Sequence, residues 1–287
     1  MLRRCWSTQS FAKRLQQARL LLSVLPLLLI LVSFQPVKAT ETLLIQKPSS
    51  HVYVICTEDL QYYPHYDFTK RNQVSYASSL FQLFSSKTGI RLKVRAMPVK
   101  RLDLAKGCDV RYPDNPLWYQ GRDSERPQHF SHALTQILGT TLVKAERAEI
   151  KPEELQAISV PRGFTPHHLM QLQQQYNFDF IETNDASAAL LMLIKGRVDG
   201  ADVEWNVAQA LLDKIDPKAE IAVAKYLPIS LVGFHLSSSN SPEFIAQFDQ
   251  FLQREHEAVT QLKQQFQLRE QLSDLTTVQH ATDAAEH

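Results

Sequence analysis

Apolar and polar residues follow two periods along the chain, and from about residue 51 onward the two periods take turns. Short runs such as HVYVIC alternate like strands, whereas VSYASSLFQLFSSKT has apolar residues at helical spacing and stops before Gly89, a favourable helix-ending residue. In this first half the pattern predicts strands at 51–56, 90–94 and 108–111 and helices at 74–88 and 98–106. Strands that alternate with helices are typical of a parallel sheet with crossover helices.

A second α/β unit follows the charged stretch AERAEIKPEELQ, residues 145–156, which is either a boundary between lobes or a surface turn. Thr165 is predicted to cap a helix whose first residue is Pro166, and Asp185 to cap another that ends at Gly196. Pro242 is predicted to open a long amphipathic helix. The pattern predicts strands at 140–143, 157–160, 178–183, 198–203, 221–224 and 231–236, and helices at 166–175, 186–195, 205–212 and 242–268.

The first 39 residues have the organisation of a cleaved signal peptide (1–39). Six basic residues and no acid lie in this segment, around an apolar run at 20–34 that Ser23 and Pro26 interrupt. That run is shorter than the roughly 20 residues that span a bilayer, so a permanent membrane anchor is the less favoured alternative. Val37 and Ala39 are small residues suited to cleavage before Thr40. The mature protein is therefore expected to be periplasmic and not membrane-embedded.

The composition is that of an ordinary folded protein, with 44% hydrophobic and 21% charged residues. Without the six basic residues of the leader, 25 basic residues face 30 acidic ones, a net charge of −5. A mildly acidic body argues against binding to nucleic acid.

Two cysteines remain after the leader, Cys56 and Cys108. In an oxidising compartment an even pair predicts a disulfide, although two buried free thiols would also fit. Closing a loop of this length stabilises a fold by about 4 kcal/mol in the chain-entropy model. Neither cysteine has the CxxC spacing of a redox or zinc motif.

Several polar residues could bind a small anion or cation. Gly163, Phe164 and Thr165 would place backbone N–H groups and a hydroxyl at a helix start, which suits an anion, although an ordinary helix cap has the same pattern. Arg126 could hold a carboxylate through paired hydrogen bonds, or be solvated. Glu204 follows a predicted strand and opens a helix, so both a pocket role and a capping role are open.

Aromatic residues are concentrated in two loops. The cluster Tyr62, Tyr63, His65 and Tyr66 suits stacking on a ligand, and equally suits packing between lobes. Trp118 lies in the long loop at 112–128, and loops of this length are usually functional or disordered.

The sequence predicts neither a metal nor a cofactor. His167 and His168 lack metal-ligand spacing. The motifs of serine hydrolases, phosphate loops and dinucleotide sites do not occur in the sequence.

Two stretches, ISVPRGFT at 158–165 and DASAALLMLIKGRVDGADVEWNVAQALL at 185–212, resemble the periplasmic solute-binding proteins of family 3, which bind polar amino acids. TEDLQYYPHY, MPVKRLDLAKGCD and ERPQHFSHAL are weaker matches. The resemblance implies a two-lobed α/β fold of the type 2 periplasmic binding class, with each lobe a sheet flanked by helices and two hinge strands between them. Lobe 1 would comprise 50–143 plus 232–268 and lobe 2 would comprise 144–231, before a flexible tail at 273–287.

The resemblance also implies a ligand site between the lobes. Arg126, with Arg122 as its competitor, would face the ligand's carboxylate from lobe 1, and Thr165 would do so from lobe 2. Glu204 would face the amino group of the ligand, with Asp59 and Tyr62 in the first ligand-facing loop. The family has small polar residues before the arginine, where this chain has Trp118-Tyr119-Gln120-Gly121. This departure argues against an ordinary free amino acid as the ligand. The ligand-binding residues predicted in this way are Asp59, Tyr62, Trp118, Arg122, Arg126, Phe164, Thr165 and Glu204.

The function predicted from these features is capture of a small polar, amino-acid-like or carboxylate-bearing molecule for uptake or sensing. An inner-membrane permease or a sensor would be the partner, and the protein would be a monomer. One rival is a dehydratase-like or lyase-like enzyme on the same fold that uses Glu204 or Asp59 as general acid or base. A second rival is an envelope interaction module without a ligand.

Overall fold

This computed structural model describes residues 51–69, 73–102, 104–119, 128–273 and 275, which belong to one compact unit, 46–287. The predicted signal peptide, Arg122, Arg126 and nearly all of the predicted tail lie outside the described residues. No helix in the described ranges is long and apolar enough to cross a membrane.

The described chain contains short strands and helices in alternation. The strands are β1 (Val52–Glu58), β2 (Gln61–Tyr62), β3 (Tyr66–Asp67), β4 (Arg91–Met97), β5 (Val110–Asp114), β6 (His129–Phe130), β7 (Thr135–Gly139), β8 (Thr141–Lys144), β9 (Ala157–Pro161), β10 (Asp179–Thr183), β11 (Gly200–Asp202), β12 (Ile221–Val223) and β13 (Ser230–Ser238). The helices are α1 (Tyr76–Thr88), α2 (Val99–Leu102), α3 (Met170–Tyr176), α4 (Ala186–Ile194), α5 (Trp205–Ile215), α6 (Pro242–Arg254) and α7 (His256–Gln265). Short 3₁₀ turns occur at Pro116–Tyr119, Ala145–Arg147, Pro152–Glu154 and His167–Leu169.

The strands form two main sheets, one in each lobe. In lobe 1 the order is β4-β1-β5-β13-β6, with β1 parallel to β4 and β5 and with β13 antiparallel to its neighbours. In lobe 2 the order is β10-β9-β11-β8-β12, with β9 parallel to β10 and β11 and with β8 antiparallel to β11 and β12. Parallel neighbours need crossover helices, which explains the strand–helix alternation of the sequence.

Two antiparallel strands join the lobes. β7 pairs with the first half of β13, from Gly139 opposite Ser230 to Thr135 opposite Phe234. Beyond Gly139 the chain passes through Thr140 directly into β8 of the second sheet. The two predicted hinge strands are therefore present.

The chain crosses between the sheets earlier than the composition change at 145–156 indicates. β8 already belongs to the second sheet, and the charged stretch forms 3₁₀ turns beside it. A charged composition marks solvent exposure, which a surface turn and an interlobe linker share.

Aromatic side chains fill the centre of lobe 1. Phe84 of α1 packs against Phe244, Phe248 and Phe251 of α6, with ring centroids 4.7–5.5 Å apart, and all four are fully buried. Each buried ring contributes roughly 2–3 kcal/mol of transfer free energy, so this cluster holds α6 against α1.

Several predicted helix ends are confirmed. α1 ends at Gly89, whose φ of 72° is the left-handed conformation that glycine adopts without strain. Asp185 caps α4 by accepting a hydrogen bond from the N–H of Ala188 at 2.8 Å, and Pro242 is the first residue of α6.

Three predicted helices differ in the structure. The helix expected at 98–106 is a single turn, α2. The long C-terminal helix breaks at Glu255 into α6 and α7. The prediction that Thr165 caps a helix is wrong, because α3 begins only at Met170. Pro166 has a ψ of 66°, which is outside the helical region.

The predicted disulfide between Cys56 and Cys108 is confirmed, with an S–S distance of 2.04 Å. Cys56 lies in β1 and Cys108 just before β5, so the bond joins two neighbouring strands of the lobe 1 sheet. The guanidinium of Arg95 donates hydrogen bonds to both sulfurs at 3.1 Å.

Candidate ligand cleft between the lobes

The candidate cleft is formed by segments that follow the carboxyl ends of strands in the two sheets. From lobe 1 it receives the loop after β1, and from lobe 2 the turn after β9 and the junction between β11 and α5. The crevice beyond the carboxyl ends of parallel strands is the usual ligand site in open α/β sheets.

Glu204 lies at the centre of the cleft and is only 3% exposed. Its Oε2 accepts a hydrogen bond from the N–H of Val207 at 2.9 Å, which caps α5. The same oxygen lies 3.0 Å from Nε2 of His65, and Oε1 accepts a hydrogen bond from Nδ2 of Asn206 at 2.7 Å. The capping role and a position inside the cleft, which the sequence left as alternatives, therefore coincide in one side chain.

His65 provides the lobe 1 partner of Glu204 and is fully buried. Its Nδ1 lies 3.5 Å from the hydroxyl oxygen of Thr135, in the first hinge strand. The imidazole thus lies between a lobe 2 carboxylate and a hinge hydroxyl. In the sequence, His65 is recognisable only as one member of an aromatic cluster, because nothing local indicates a partner 139 positions away.

An aromatic stack crosses the cleft next to this pair. The rings of Tyr62 and Phe164 are 5.3 Å apart and inclined by 17°. Tyr62 also packs against His65 and against Phe234 of the hinge strand β13. Burial raises the pKa of Tyr62 well above its ordinary value, and the carboxylates of Glu204, Asp202 and Glu58 raise it further. The phenol is therefore neutral, so it can donate a hydrogen bond to an anion.

A second acid, Asp202, lies two residues before Glu204 at the end of β11 and was not predicted as a site residue. Burial raises its pKa to about 7. Nε2 of His168 lies 3.7 Å from its Oδ1, and burial, followed by the charge of His167, lowers the pKa of His168 to about 4. The distance exceeds a hydrogen bond and both shifts favour uncharged forms, so this is a neutral pair near pH 6 and not an ion pair.

Thr141 extends the polar face formed by Asp202 and His168. Thr141 lies directly opposite Asp202 in the antiparallel pairing of β8 with β11, so the two side chains share one face of the sheet. Its hydroxyl oxygen and Nε2 of His168 are buried and have no hydrogen-bond partner among the described residues. Lobe 2 therefore has unused hydrogen-bonding capacity around Asp202 in its described residues.

Lobe 1 carries a polar cluster of its own at the end of β5. Asp114 accepts hydrogen bonds from the hydroxyl of Ser237 and, at 2.8 Å, from the hydroxyl of Tyr119. Burial raises the pKa of Asp114, although these donors oppose the shift. Trp118, in the neighbouring turn, is 37% exposed and meets Phe234 edge to face.

The C-terminal segment connects the lobes a second time. The side-chain amide of Asn206 pairs with the backbone of Arg269, donating at 2.9 Å and accepting at 2.8 Å. Glu270 accepts a hydrogen bond from the N–H of Gln136 in β7 at 2.7 Å. Leu275 is buried in the core, so the chain stays packed for some residues beyond α7.

The predicted site residues thus fall into four groups. Tyr62, Phe164 and Glu204 come together in the cleft. Asp59 and Thr165 are exposed. Trp118 contacts Phe234, which in turn contacts Tyr62. Arg122 and Arg126 lie outside the described residues. Within the described ranges, no group of three or more metal-binding side chains is arranged to hold an ion.

No family model matches the chain, and no curated protein matches it. Several solved structures, however, are similar to this chain. An ancestral arginine-binding protein bound to arginine is 16% identical with a TM-score of 0.60, over 75% of this chain and 97% of that chain. An arginine transport periplasmic binding protein from Legionella pneumophila is 14% identical with a TM-score of 0.60, over 76% of this chain and 100% of that chain. A histidine kinase sensor domain with similarity to periplasmic binding proteins is 14% identical with a TM-score of 0.61, over 75% of this chain and 96% of that chain.

These likenesses confirm the predicted fold, that of the two-lobed periplasmic binding proteins. The resemblance to the family 3 solute-binding proteins that the motifs indicated is confirmed at the level of the fold.

Proposed function

We propose that this protein is an exported solute-binding protein that captures a small polar molecule, amino-acid-like or carboxylate-bearing, between its two lobes. Its partner would be an inner-membrane permease or a sensor that recognises the closed form. The observation that carries the proposal is the meeting of Tyr62 and His65 of lobe 1 with Phe164 and Glu204 of lobe 2.

Each lobe supplies only half of that cluster, so a ligand held by both halves binds the closed form more tightly than the open form. Such a ligand shifts the population of lobe arrangements, which is how a binding protein signals occupancy to its partner. Two antiparallel strands form the hinge, a connection that lets the lobes move as bodies.

The chemistry of the cluster matches an amino-acid-like guest. A buried carboxylate favours a positively charged group, the aromatic pair offers flat apolar faces, and the neutral phenol of Tyr62 donates to an anion. Two of the proteins with a similar fold, an arginine-binding protein bound to arginine and an arginine transport binding protein, support the same class of ligand.

Thermal-shift screening of the exported protein against amino acids, short peptides, polyamines and organic acids tests the proposal. A ligand at 100 times its dissociation constant stabilises the folded state by about 2.7 kcal/mol, so we expect at least one compound to raise the melting temperature by several degrees. Tyr62→Ala should abolish that shift by removing the lobe 1 half of the stack. The control Tyr226→Ala, an exposed tyrosine outside the cluster, should preserve it.

The same screen separates the rivals. A compound that raises the melting temperature and is recovered unchanged supports solute binding. A compound that is converted to a product would contradict it in favour of an enzyme that uses the buried His65–Glu204 pair for proton transfer. Silence across the panel would contradict it in favour of an interaction module.

A further inference from the structure

The carboxylate of Glu204 has its hydrogen-bonding positions occupied by groups of the protein itself. Two of its donors, the N–H of Val207 and the amide of Asn206, belong to the start of its own helix. The third is the imidazole of His65, which comes from the opposite lobe. Only the third contact depends on the lobes being together.

The imidazole is held for this contact from several sides. Its ring lies 5.7 Å from the ring of Tyr62 and 6.4 Å from that of Phe234. Its second nitrogen faces the hydroxyl of Thr135 in the hinge. Full burial and contacts to both hinge strands fix the direction in which Nε2 points, and that direction is toward Glu204.

From this arrangement we propose that His65 is an internal competitor for the positively charged group of the ligand. It occupies Glu204 in the ligand-free protein, holds the lobes closed, and must leave that carboxylate before a cationic group can bind there. This inference rests on the proposed function, since it identifies Glu204 as the cation subsite of the same cleft. It makes His65 a specificity-determining residue, because only a guest that binds Glu204 better than the imidazole does can displace it.

Three further contacts join the two lobes directly. Tyr62 stacks directly on Phe164, with no room for a guest between rings 5.3 Å apart. Asn206 is hydrogen-bonded to Arg269 beyond α7. A Cβ placed on Gly163 of lobe 2 would lie 3.5 Å from the side chain of Val99 in α2 of lobe 1. The cleft is thus filled by the side chains of the protein itself.

Removing the imidazole should open the ligand-free protein. His65→Ala leaves the carboxylate of Glu204 buried without its lobe 1 donor while the lobes are closed. A buried carboxylate that lacks a donor is destabilising, and opening the lobes removes this cost because water can then hydrate the carboxylate. His65→Gln keeps a side-chain donor and should stay closed. His235→Ala is the matched control, because His235 is a half-buried lobe 1 histidine whose Nδ1 contacts the carbonyl of Ser131 in the same lobe.

The test is a distance measurement between spin labels on the exported protein, with no ligand present. Labels at Ser86→Cys in lobe 1 and Gln174→Cys in lobe 2 occupy exposed helix positions. We expect a single short distance for the wild type, His65→Gln and His235→Ala, and a longer, broader distribution for His65→Ala. An unchanged distribution in His65→Ala would overturn the proposal. Should His65→Ala fail to fold, as judged by circular dichroism, Glu204→Ala replaces it, because it removes the acceptor of the imidazole. It should lengthen the distance likewise, and an unchanged distance there would overturn the proposal.

A binding measurement follows on the same variants, with arginine as the cationic probe and succinate as the anionic one. We expect arginine to bind His65→Ala about tenfold more tightly than the wild type, because the imidazole no longer occupies the carboxylate of Glu204. Succinate, which has no cationic group, should show no such gain. Equal affinities of arginine for both proteins would overturn the competitor role. If His65→Ala opens and no compound of the thermal-shift panel binds either protein, the internal contact is upheld and the proposed solute-binding function is what fails.

Discussion

Glu204 combines two tasks that usually fall to different residues. It satisfies the free N–H groups at the start of α5, and it meets a side chain from the other lobe. The first task follows from local sequence, because an acid before a helix is favourable wherever it occurs. The second depends on the hinge and could be predicted only through the resemblance to a family. His65 and Asp202 lack such a local signal, so their place in the site cannot be predicted from the sequence.

Asp202 and His168 should make the stability of the protein depend on pH in opposite senses. The pKa of Asp202 is raised to about 7, so between pH 4 and 7 the folded state binds more protons than the unfolded state, and stability falls as pH rises. The pKa of His168 is lowered to about 4, so between pH 4 and 6.5 stability rises with pH. In the wild type the two slopes offset one another up to about pH 6.5.

Asp202→Asn removes the first slope and leaves the second. Urea unfolding from pH 4 to 8 should show the variant gaining stability relative to the wild type as pH rises to about 7, by about 4 kcal/mol, and no further change above that pH. Asp179→Asn, at an exposed carboxylate of β10, is the control and should leave the shape of the curve unchanged. Parallel curves for Asp202→Asn and the wild type would contradict the assignment.

Among the helices, α4 is the one whose start the sequence predicts best, because the signal is local. Asp185 lies in extended backbone and accepts a hydrogen bond from the N–H of Ala188. Removing a side-chain cap of this kind costs typically about 1 kcal/mol. Asp185→Ala should therefore lower the melting temperature by about 2–4 °C for a protein of this size. Asp185→Asn keeps an acceptor and should stay within about 1 °C of the wild type. Equal losses in both variants would show that the cap contributes nothing.

Elements that depend on distant partners were predicted less well. β7 was not predicted, because its run TQILG is short and is a strand only through its pairing with β13, some 90 residues later. The helix expected from Pro166 starts four residues later, because proline there adopts a non-helical ψ and the next residues form a 3₁₀ turn. Local propensity predicts where a helix is possible, and tertiary packing decides where it begins.

At the scale of the whole molecule, the disulfide fastens two neighbouring strands of the lobe 1 sheet, β1 and β5. Closing a loop of 52 residues should stabilise the fold by about 4 kcal/mol in the chain-entropy model. We expect the double variant Cys56→Ala with Cys108→Ala to lose a large part of that in urea unfolding. Adding a reductant should destabilise the wild type and leave the double variant unaffected. A wild type that is insensitive to reductant would contradict the structural role of the bond.

The alternation of strands and helices and the matched motifs were sufficient to predict two lobes and two hinge strands. They also placed Tyr62, Phe164 and Glu204 on the facing sides of one cleft. They did not predict that the cleft would be filled by side chains of the protein itself, since the two strongest contacts join residues about 100 or more positions apart. Contacts of that range follow from how the lobes close, which no local pattern specifies.

The most direct test of the central claim is the crystal structure of the exported protein with the strongest ligand from the thermal-shift panel. We predict a guest enclosed between the lobes, in contact with Tyr62 and with the carboxylate of Glu204, and His65 withdrawn from that carboxylate. A guest bound on the outer surface of one lobe, with the contact between His65 and Glu204 intact, would contradict it.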